Sequence, residues 1–226
     1  MGVKLRDKHL TVSIIPARGN SKEIKNKNII DLCGKPLISY VLETCLDCDE
    51  IDLVVVTSDS SEILSLVSSL FQDKVKCIKR PDSLATDSSV SEDALVHALC
   101  QLSSEGIFPQ RAIFVQATSP LTTSYDLSRL LIKLNQYDSC AFYVEDYGFF
   151  FNEDDMKVAR LPRQERLPRY REAGNAWSFH VDGFLREKTR LFGKMGLCKI
   201  DYPRNLEIDT DSDLTLIKYI LEANKL

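Results

Sequence analysis

The sequence predicts an α/β fold in a single domain over residues 1–226: a mostly parallel sheet with helices on both faces. Three observations predict it. Short apolar runs alternate with amphipathic segments along most of the 226 residues, the rhythm of successive β-α-β units. The run Leu-Val-Val-Val-Thr at 53–57 is apolar without alternation, as expected of a buried strand. The length is enough to bury a sizeable core within one domain.

In order, residues 11–15 read as a first strand ending at Pro16, and 36–45 as a helix with proline in its first turn. Residues 53–57 are the next strand, with Ser58, Asp59 and Ser60 offering N-caps for the helix that follows. Residues 76–79 form a short strand. Residues 91–102 form a helix with Ser91 as its cap and Asp93 in its first turn. Residues 112–116 are again strand. Residues 124–134 are a helix with Leu127, Leu130, Leu131 and Leu134 on one face. Strand-like runs recur at 139–144, 177–181 and 197–201, and a helix over 214–223 closes the chain. Residues 145–172 break the rhythm with clustered aromatics, then acids, then arginines. They read as an inserted lobe, an oligomerisation arm or a flap. In such sheets ligands bind beyond the carboxyl ends of the strands, so the loops after Ile15, Thr57 and Gln116 are the places to look.

Composition narrows the partners. Against 29 Lys and Arg stand 33 Asp and Glu, a net charge of −4. No basic excess calls for nucleic acid or an anionic membrane, so an anionic ligand needs a local basic site. The apolar run from Leu10 stops at Pro16, too short for a signal core or a membrane span. A cytoplasmic protein is expected. The seven cysteines are odd in number and lack a disulfide-framework spacing, which fits a reducing compartment. Cys45 and Cys48 form a C-x-x-C with no second pair, and His9, His97 and His180 are isolated. There is no P-loop, G-x-G-x-x-G, G-x-S-x-G, H-E-x-x-H, EF-hand or kinase signature.

Five groups of residues remain for chemistry. Ala17, Arg18, Gly19, Asn20, Ser21 and Lys22, then Lys25, Lys27 and Asn28, form a polar loop after the first strand. Backbone N–H groups, a hydroxyl and fixed cations suit a polyphosphate, although a solvated basic loop reads the same way. Arg80-Pro81, followed by Asp87, offers either an arginine that reaches a base or sugar, or simply a turn into the next helix. Gln116 at a strand end suits a ribose or base, while Thr-Ser-Pro after it suits a helix start. Five arginines fall in residues 160–171, with Asn175 following. They repel one another unless an anion or carboxylates neutralise them, and the arginine fork suits a sugar carboxylate. Last, Glu207 and Asp209 share one face of an extended segment, a plausible pair for Mg²⁺; Asp211 and Asp213 more naturally begin the closing helix.

Taken in order, these groups resemble the acylneuraminate (CMP-sialic acid) cytidylyltransferase family over residues 12–214. IIPARGNSKEIKNKNI is similar to that family's I-P-A-R-G-G-S-K-G-I-x-x-K-N-I, RPDSLATD to its R-P-x-x-L-A-x-D, and VQATSPL to its L-Q-P-T-S-P-L-R. RQERLPRYREAGN resembles its R-Q-x-L-P-x-x-(Y/F)-x-x-N-G, and LEIDTDSDL its x-x-I-D-T-x-x-D-L. Departures are Asn20 and Glu23 for glycines, Ala117 for proline, Thr122 for arginine, Asn-Ala-Trp-Ser-Phe from Asn175, and Glu207 where aspartate is common.

The resemblance implies a Rossmann-like fold of the nucleotide-diphospho-sugar transferase type. It implies transfer of CMP from CTP to the anomeric hydroxyl of a nine-carbon keto-sugar acid of the sialic acid type, with Mg²⁺ and release of pyrophosphate. Arg18, Lys22 and Asp209 would be catalytic. Ala17, Arg18, Gly19, Ser21, Lys22, Lys27, Asn28, Arg80, Asp87 and Gln116 would bind the nucleotide. Arg163, Gln164, Arg171 and Asn175 would meet the sugar acid, and Glu207 with Asp209 would hold Mg²⁺. A homodimer formed through the lobe at 145–172 is expected. The alternatives are the same reaction on legionaminate, pseudaminate or an octulosonate, and a non-catalytic binder of nucleotide or sugar acid.

Overall fold

The computed structural model describes residues 9–21, 23–86, 89–150 and 160–223. Nine strands and six α-helices follow one another among these residues. Strand β1 (Thr11–Pro16) leads into the long polar loop. A two-residue hairpin, β2 (Asp31–Leu32) and β3 (Lys35–Pro36), then delivers helix α1 (Leu37–Leu46). Its turn residues Cys33 and Gly34 both have positive φ, the geometry that matches the twist of a tight hairpin. Next come β4 (Leu53–Ser58), α2 (Ser61–Phe71), β5 (Val75–Lys79), α3 (Ser91–Ser104), β6 (Arg111–Val115) and α4 (Ser124–Lys133). The chain closes with β7 (Ser139–Asp146), β8 (Arg169–His180), α5 (Val181–Glu187), β9 (Met195–Lys199) and α6 (Asp211–Ala223).

Seven strands form one sheet in the order β5-β4-β1-β6-β8-β7-β9. Only β8 runs against its neighbours, so the sheet is mostly parallel, as expected. Central strands bear apolar side chains on both faces because helices cover both. One core cluster packs Ile15, Val54 and Val56 against α1, α2 and α4; the other packs Val12, Ile14 and Val55 against α3 and α5. The Cys45 and Cys48 thiols lie in the first cluster, where burial pushes both up to about 12.

Of the three caps offered for α2, Ser60 serves through its hydroxyl, which accepts the Ile63 N–H at 3.3 Å. Val90 precedes α3 with no side-chain cap, and Ser91 is its first helical residue. Thr123 and Asp126 cap α4 reciprocally, a box that contributes about 1 kcal/mol. The larger difference is at the lobe: β7 continues to Asp146 and β8 starts at Arg169, so residues 145–172 begin and end as paired strands. The described residues between them, 147–150 and 160–168, sit at the tip of this ribbon; residues 151–159 of the expected lobe lie outside the described ones. The arginines of that tip stack on its aromatics: Arg160 and Arg166 over Phe149, Arg169 over Phe150, Arg163 over Tyr147. Ring faces attract guanidinium groups, which offsets the crowding of like charge.

Candidate active site

The strand order reverses direction at β1. The chain moves outward through β4 and β5, then returns to place β6 on the other side of β1. The loops leaving β1 and β6 therefore diverge and leave a crevice at their carboxyl ends. A cavity of about 360 Å³ occupies it. Pro16, Arg18, Ser21, Lys27 and Asn28 come from the first loop, Arg80 from the end of β5, and Gln116 to Thr118 from the end of β6. Phe114 and the residues around the start of α3 complete the wall.

Local bonds hold these groups in place. Asn28, 7% exposed, donates from Nδ2 to the Arg18 carbonyl at 2.9 Å and so closes the first loop on itself. The Gly19 N–H donates to Asp59 Oδ1 at 3.0 Å. A Cβ at Gly19 would lie 2.9 Å from Ser60 Cβ, which explains the glycine. Arg80 is 5% exposed and pairs with Asp59 at 3.4 Å. Burial pulls its guanidinium below the ordinary value, Asp59 raises it, and Arg18 lowers it again. Gln116 Oε1 accepts the Thr118 hydroxyl at 3.2 Å, leaving its amide NH₂ as the group to offer a ligand.

The acidic pair sits beside this crevice. Ile208 is fully buried, and its N–H donates to the Thr118 carbonyl at 2.8 Å. With Ile208 facing inward, alternation turns Glu207 and Asp209 the other way. Asp209 accepts from Lys27 Nζ at 2.9 Å. Glu207 accepts the Gly174 N–H, and burial followed by the charge of Asp209 raises its carboxyl. Glu207, raised in part by the charge of Asp209, forms with it an oxygen-donor set that a cation relieves. Among the described residues no third His, Cys, Asp or Glu completes a cluster. A hard cation held there would draw its other ligands from phosphate and water, which is the habit of Mg²⁺.

A second cavity, about 680 Å³, opens against the β7–β8 ribbon. Arg163, Arg166, Arg171 and Lys199 line it together with Glu145, Asp146, Tyr147 and Asp201. Lys199 donates to Glu145 at 2.8 Å. Glu207 lines neither cavity, but the charges of Lys27, which lines the first, and Arg171, which lines the second, both act to lower its carboxyl.

Of the expected residues, Ala17, Arg18, Ser21, Lys27, Asn28, Arg80 and Gln116 line the first cavity. Gly19 lies behind it. Arg163 and Arg171 line the second, whereas Gln164, exposed on the ribbon, lines neither. Asn175 is fully buried and also lines neither cavity. Its Nδ2 donates to Thr122 Oγ1 and to the Arg204 carbonyl, both at 2.9 Å. The cause is a bulge. Pairing of β7 jumps from Ala141↔Trp177 to Phe142↔Ala173, and the extra residues 174–176 turn Asn175 inward and bring Gly174 to Glu207. Lys22 and Asp87 lie outside the described residues. Arg166, one of the five arginines of 160–171, also lines the second cavity, whereas sequence reasoning missed Lys199 and Asp59. The loop after Thr57 was the available signal for Asp59, but its residues read equally well as caps.

The sequence profile of the family described as Cytidylyltransferase matches residues 12–223. The chain belongs to that family. The pseudaminic acid cytidylyltransferase of Campylobacter jejuni is 32% identical, over 93% of this chain and 96% of its own length. An N-acylneuraminate cytidylyltransferase of Escherichia coli is 26% identical over 91% of this chain, which spans 50% of that longer protein. These relatives set the chain among the acylneuraminate cytidylyltransferases, as the five motifs implied. Among solved structures, a CMP:2-keto-3-deoxy-manno-octonic acid synthetase complexed with CTP superposes with a TM-score of 0.71 at 16% identity, covering 96% of this chain and 100% of that one. That likeness is one of fold. As a cytidylyltransferase the chain is an enzyme, a nucleotidyltransferase. No helix among its described residues is long and apolar enough to cross a membrane.

Proposed function

We propose that this cytidylyltransferase transfers CMP from CTP to the anomeric hydroxyl of a nine-carbon keto-sugar acid and releases pyrophosphate. The single observation that carries the reading is the acidic pair that links two basic cavities: Lys27 of the crevice donates to Asp209 at 2.9 Å, and Glu207 accepts the Gly174 N–H of β8, the strand that carries Arg171 of the second cavity. A donor with three phosphates and an acceptor with one carboxylate match those two halves. Pseudaminate is the first acid to test, because the relative named for it is 32% identical over nearly its whole length, against 26% for the one named for N-acylneuraminate.

The chemistry follows from the residues. The anomeric oxygen forms a bond to the α-phosphorus, the bond from the α-phosphorus to the oxygen bridging to the β-phosphate breaks so that pyrophosphate leaves, and the proton of the anomeric hydroxyl goes to a base. Arg18 and Lys27 gather the phosphates and oppose the charge that grows on their oxygens. Gln116 and Arg80 orient the nucleoside, and Arg163, Arg166 and Arg171 clamp the acid, so that the two reactants meet in line. Glu207 and Asp209 would hold Mg²⁺, which supplies further neutralisation of phosphate charge when bound. Lys27 then keeps Asp209 in place from the crevice side.

A homodimer through the ribbon belongs to the same proposal. Leu167, Leu161 and Tyr170 on the ribbon are exposed, Leu167 by 92%, and a partner subunit would cover them.

The test is pyrophosphate release with CTP, Mg²⁺ and a panel of nine- and eight-carbon keto-sugar acids, with Asp209→Ala as control. Release with pseudaminate or a close nine-carbon relative, lost in the variant, is expected. The reading would be falsified if CTP gave no more pyrophosphate than UTP across the panel.

A further inference from the structure

Asp59 is the residue on which the crevice converges without any motif assigning it. It follows β4 directly, in the row of strand ends that shapes the nucleotide pocket. Its carboxylate does not cap α2, since Ser60 does that. Instead one oxygen, Oδ1, takes the Gly19 N–H at 3.0 Å and the Arg80 guanidinium at 3.4 Å. Its side chain is only 14% exposed and that of Arg80 5%, so water does little to replace either bond. Lys79 donates to the Asp59 backbone carbonyl, which fixes the residue from the other side. Arg80 also faces like charge from Arg18 and has a buried Nε with no partner. Among the described residues Asp59 is the only carboxylate that ion-pairs with Arg80.

We infer that Asp59 is a positioning residue of the nucleotide pocket: it ties the phosphate-facing loop, through Gly19, to the nucleoside-facing Arg80, so both are set before the nucleotide arrives. This rests on the cytidylyltransferase reading of the crevice. Physically, the loop and the arginine belong to different strand ends, β1 and β5, which are not neighbours in the sheet. A shared acceptor between them converts two independent groups into one preformed surface, and less ordering is left for the ligand to supply. Without that anion, Arg18 and Arg80 repel each other across the crevice, and the loop loses its hydrogen bond at Gly19.

The experiment uses the full chain and measures CTP binding by calorimetry for the wild type, Asp59→Asn and Asp59→Ala. Asparagine keeps an acceptor for Gly19 but removes the charge, so CTP affinity is expected to fall on the order of tenfold, and further for alanine. KM for CTP rises accordingly, while KM for the sugar acid stays within about twofold, a split that a general loss of structure does not produce. In an Arg80→Gln background the Asp59→Asn change has less effect, because its partner is already gone. The Gly19 amide, followed by hydrogen exchange without nucleotide, loses protection in Asp59→Ala. Wild-type-like CTP affinity in Asp59→Asn would overturn the inference and leave the proposed function intact. Binding of other nucleoside triphosphates but not CTP, still weakened by Asp59→Asn, would overturn the cytidine assignment and support the inference. Should Asp59→Ala unfold, the isosteric Asp59→Asn carries the test alone.

Discussion

Replacing Arg190 with alanine probes how the wall of the nucleotide crevice is supported. Arg190 binds Glu92 through two parallel bonds, Nε to Oε1 at 2.7 Å and Nη2 to Oε2 at 2.9 Å. Its guanidinium also lies over Phe114 at 4.8 Å and Trp177 at 4.5 Å, rings that stack on each other 4.9 Å apart. Phe114 lines the crevice, and Glu92 directly follows Ser91, which lines it too. The side chains of Arg190 and Glu92 are 21% and 17% exposed, so the pair lies between the surface and buried limits. Exposed pairs contribute about 0.2–1 kcal/mol, while removing one partner of a fully buried pair costs about 3–5 kcal/mol. With each ring contact adding about 0.5–1 kcal/mol, Arg190→Ala should cost about 2–3 kcal/mol at pH 7. For a chain of this size that lowers Tm by roughly 5–10 °C.

The pH dependence makes the prediction sharper. Burial pushes the Glu92 carboxyl up, but the hydrogen bond and charge of Arg190 bring it below the ordinary value. A carboxyl lowered on folding contributes stability that is present above its unfolded pKa of about 4.3 and is lost as pH falls through its folded value. In Arg190→Ala the side-chain bond and the charge are gone while burial and the backbone N–H bonds of residues 92 and 190 remain, so the lowering is diminished. The gap between the two proteins therefore narrows from pH 7 to pH 4. Urea titrations followed by far-ultraviolet circular dichroism at both pH values read it. A gap below about 0.5 kcal/mol at pH 7, or one that stays unchanged with pH, would refute the reasoning.

Two further predictions concern the acidic pair. A Cβ at Gly174 would fall 2.9 Å from Glu207 Cδ, against the flexible end of a side chain and not against backbone; Gly174→Ala should keep stability within about 1 kcal/mol yet lower turnover by about tenfold or more. Thermal melts and pyrophosphate release separate the two effects, and unchanged turnover would count against Glu207 as part of the site. Because burial and Asp209 raise the Glu207 carboxyl, protons compete with a cation there at higher pH than for an ordinary carboxylate. The Mg²⁺ concentration needed for half-maximal rate should therefore rise as pH is lowered through that raised value, and Glu207→Gln should flatten the dependence.

Much of the molecule was legible before any coordinates. Periodicity located the strands at 53–57 and 112–116 and the helix at 124–134 almost to the residue, because a buried parallel strand and an amphipathic helix each advertise their surroundings in their own side chains. The place of the first loop was legible for the same local reason: it follows a buried strand, and Arg18, Ser21, Lys27 and Asn28 line the crevice there. The alternation of Glu207, Ile208 and Asp209 also survived intact, since one buried isoleucine is enough to aim its neighbours outward.

Other features were decided only in three dimensions. Of the strand at 169–180 only the end, from 177, shows in the pattern; its first part carries arginines and a three-residue bulge and looks like a surface arm until it pairs with β7. That bulge determines that Asn175 is buried and that Gly174 touches Glu207, an outcome set by register and invisible to spacing. Asp59 read as one of three equivalent caps. Which of Ser58, Asp59 and Ser60 turns toward the helix and which toward Gly19 and Arg80 depends on strands far apart in sequence. Residue types and local order belong to the sequence; the choice among chemically similar neighbours belongs to tertiary contacts, because a single acceptor can serve a distant donor only once the sheet has brought the two together.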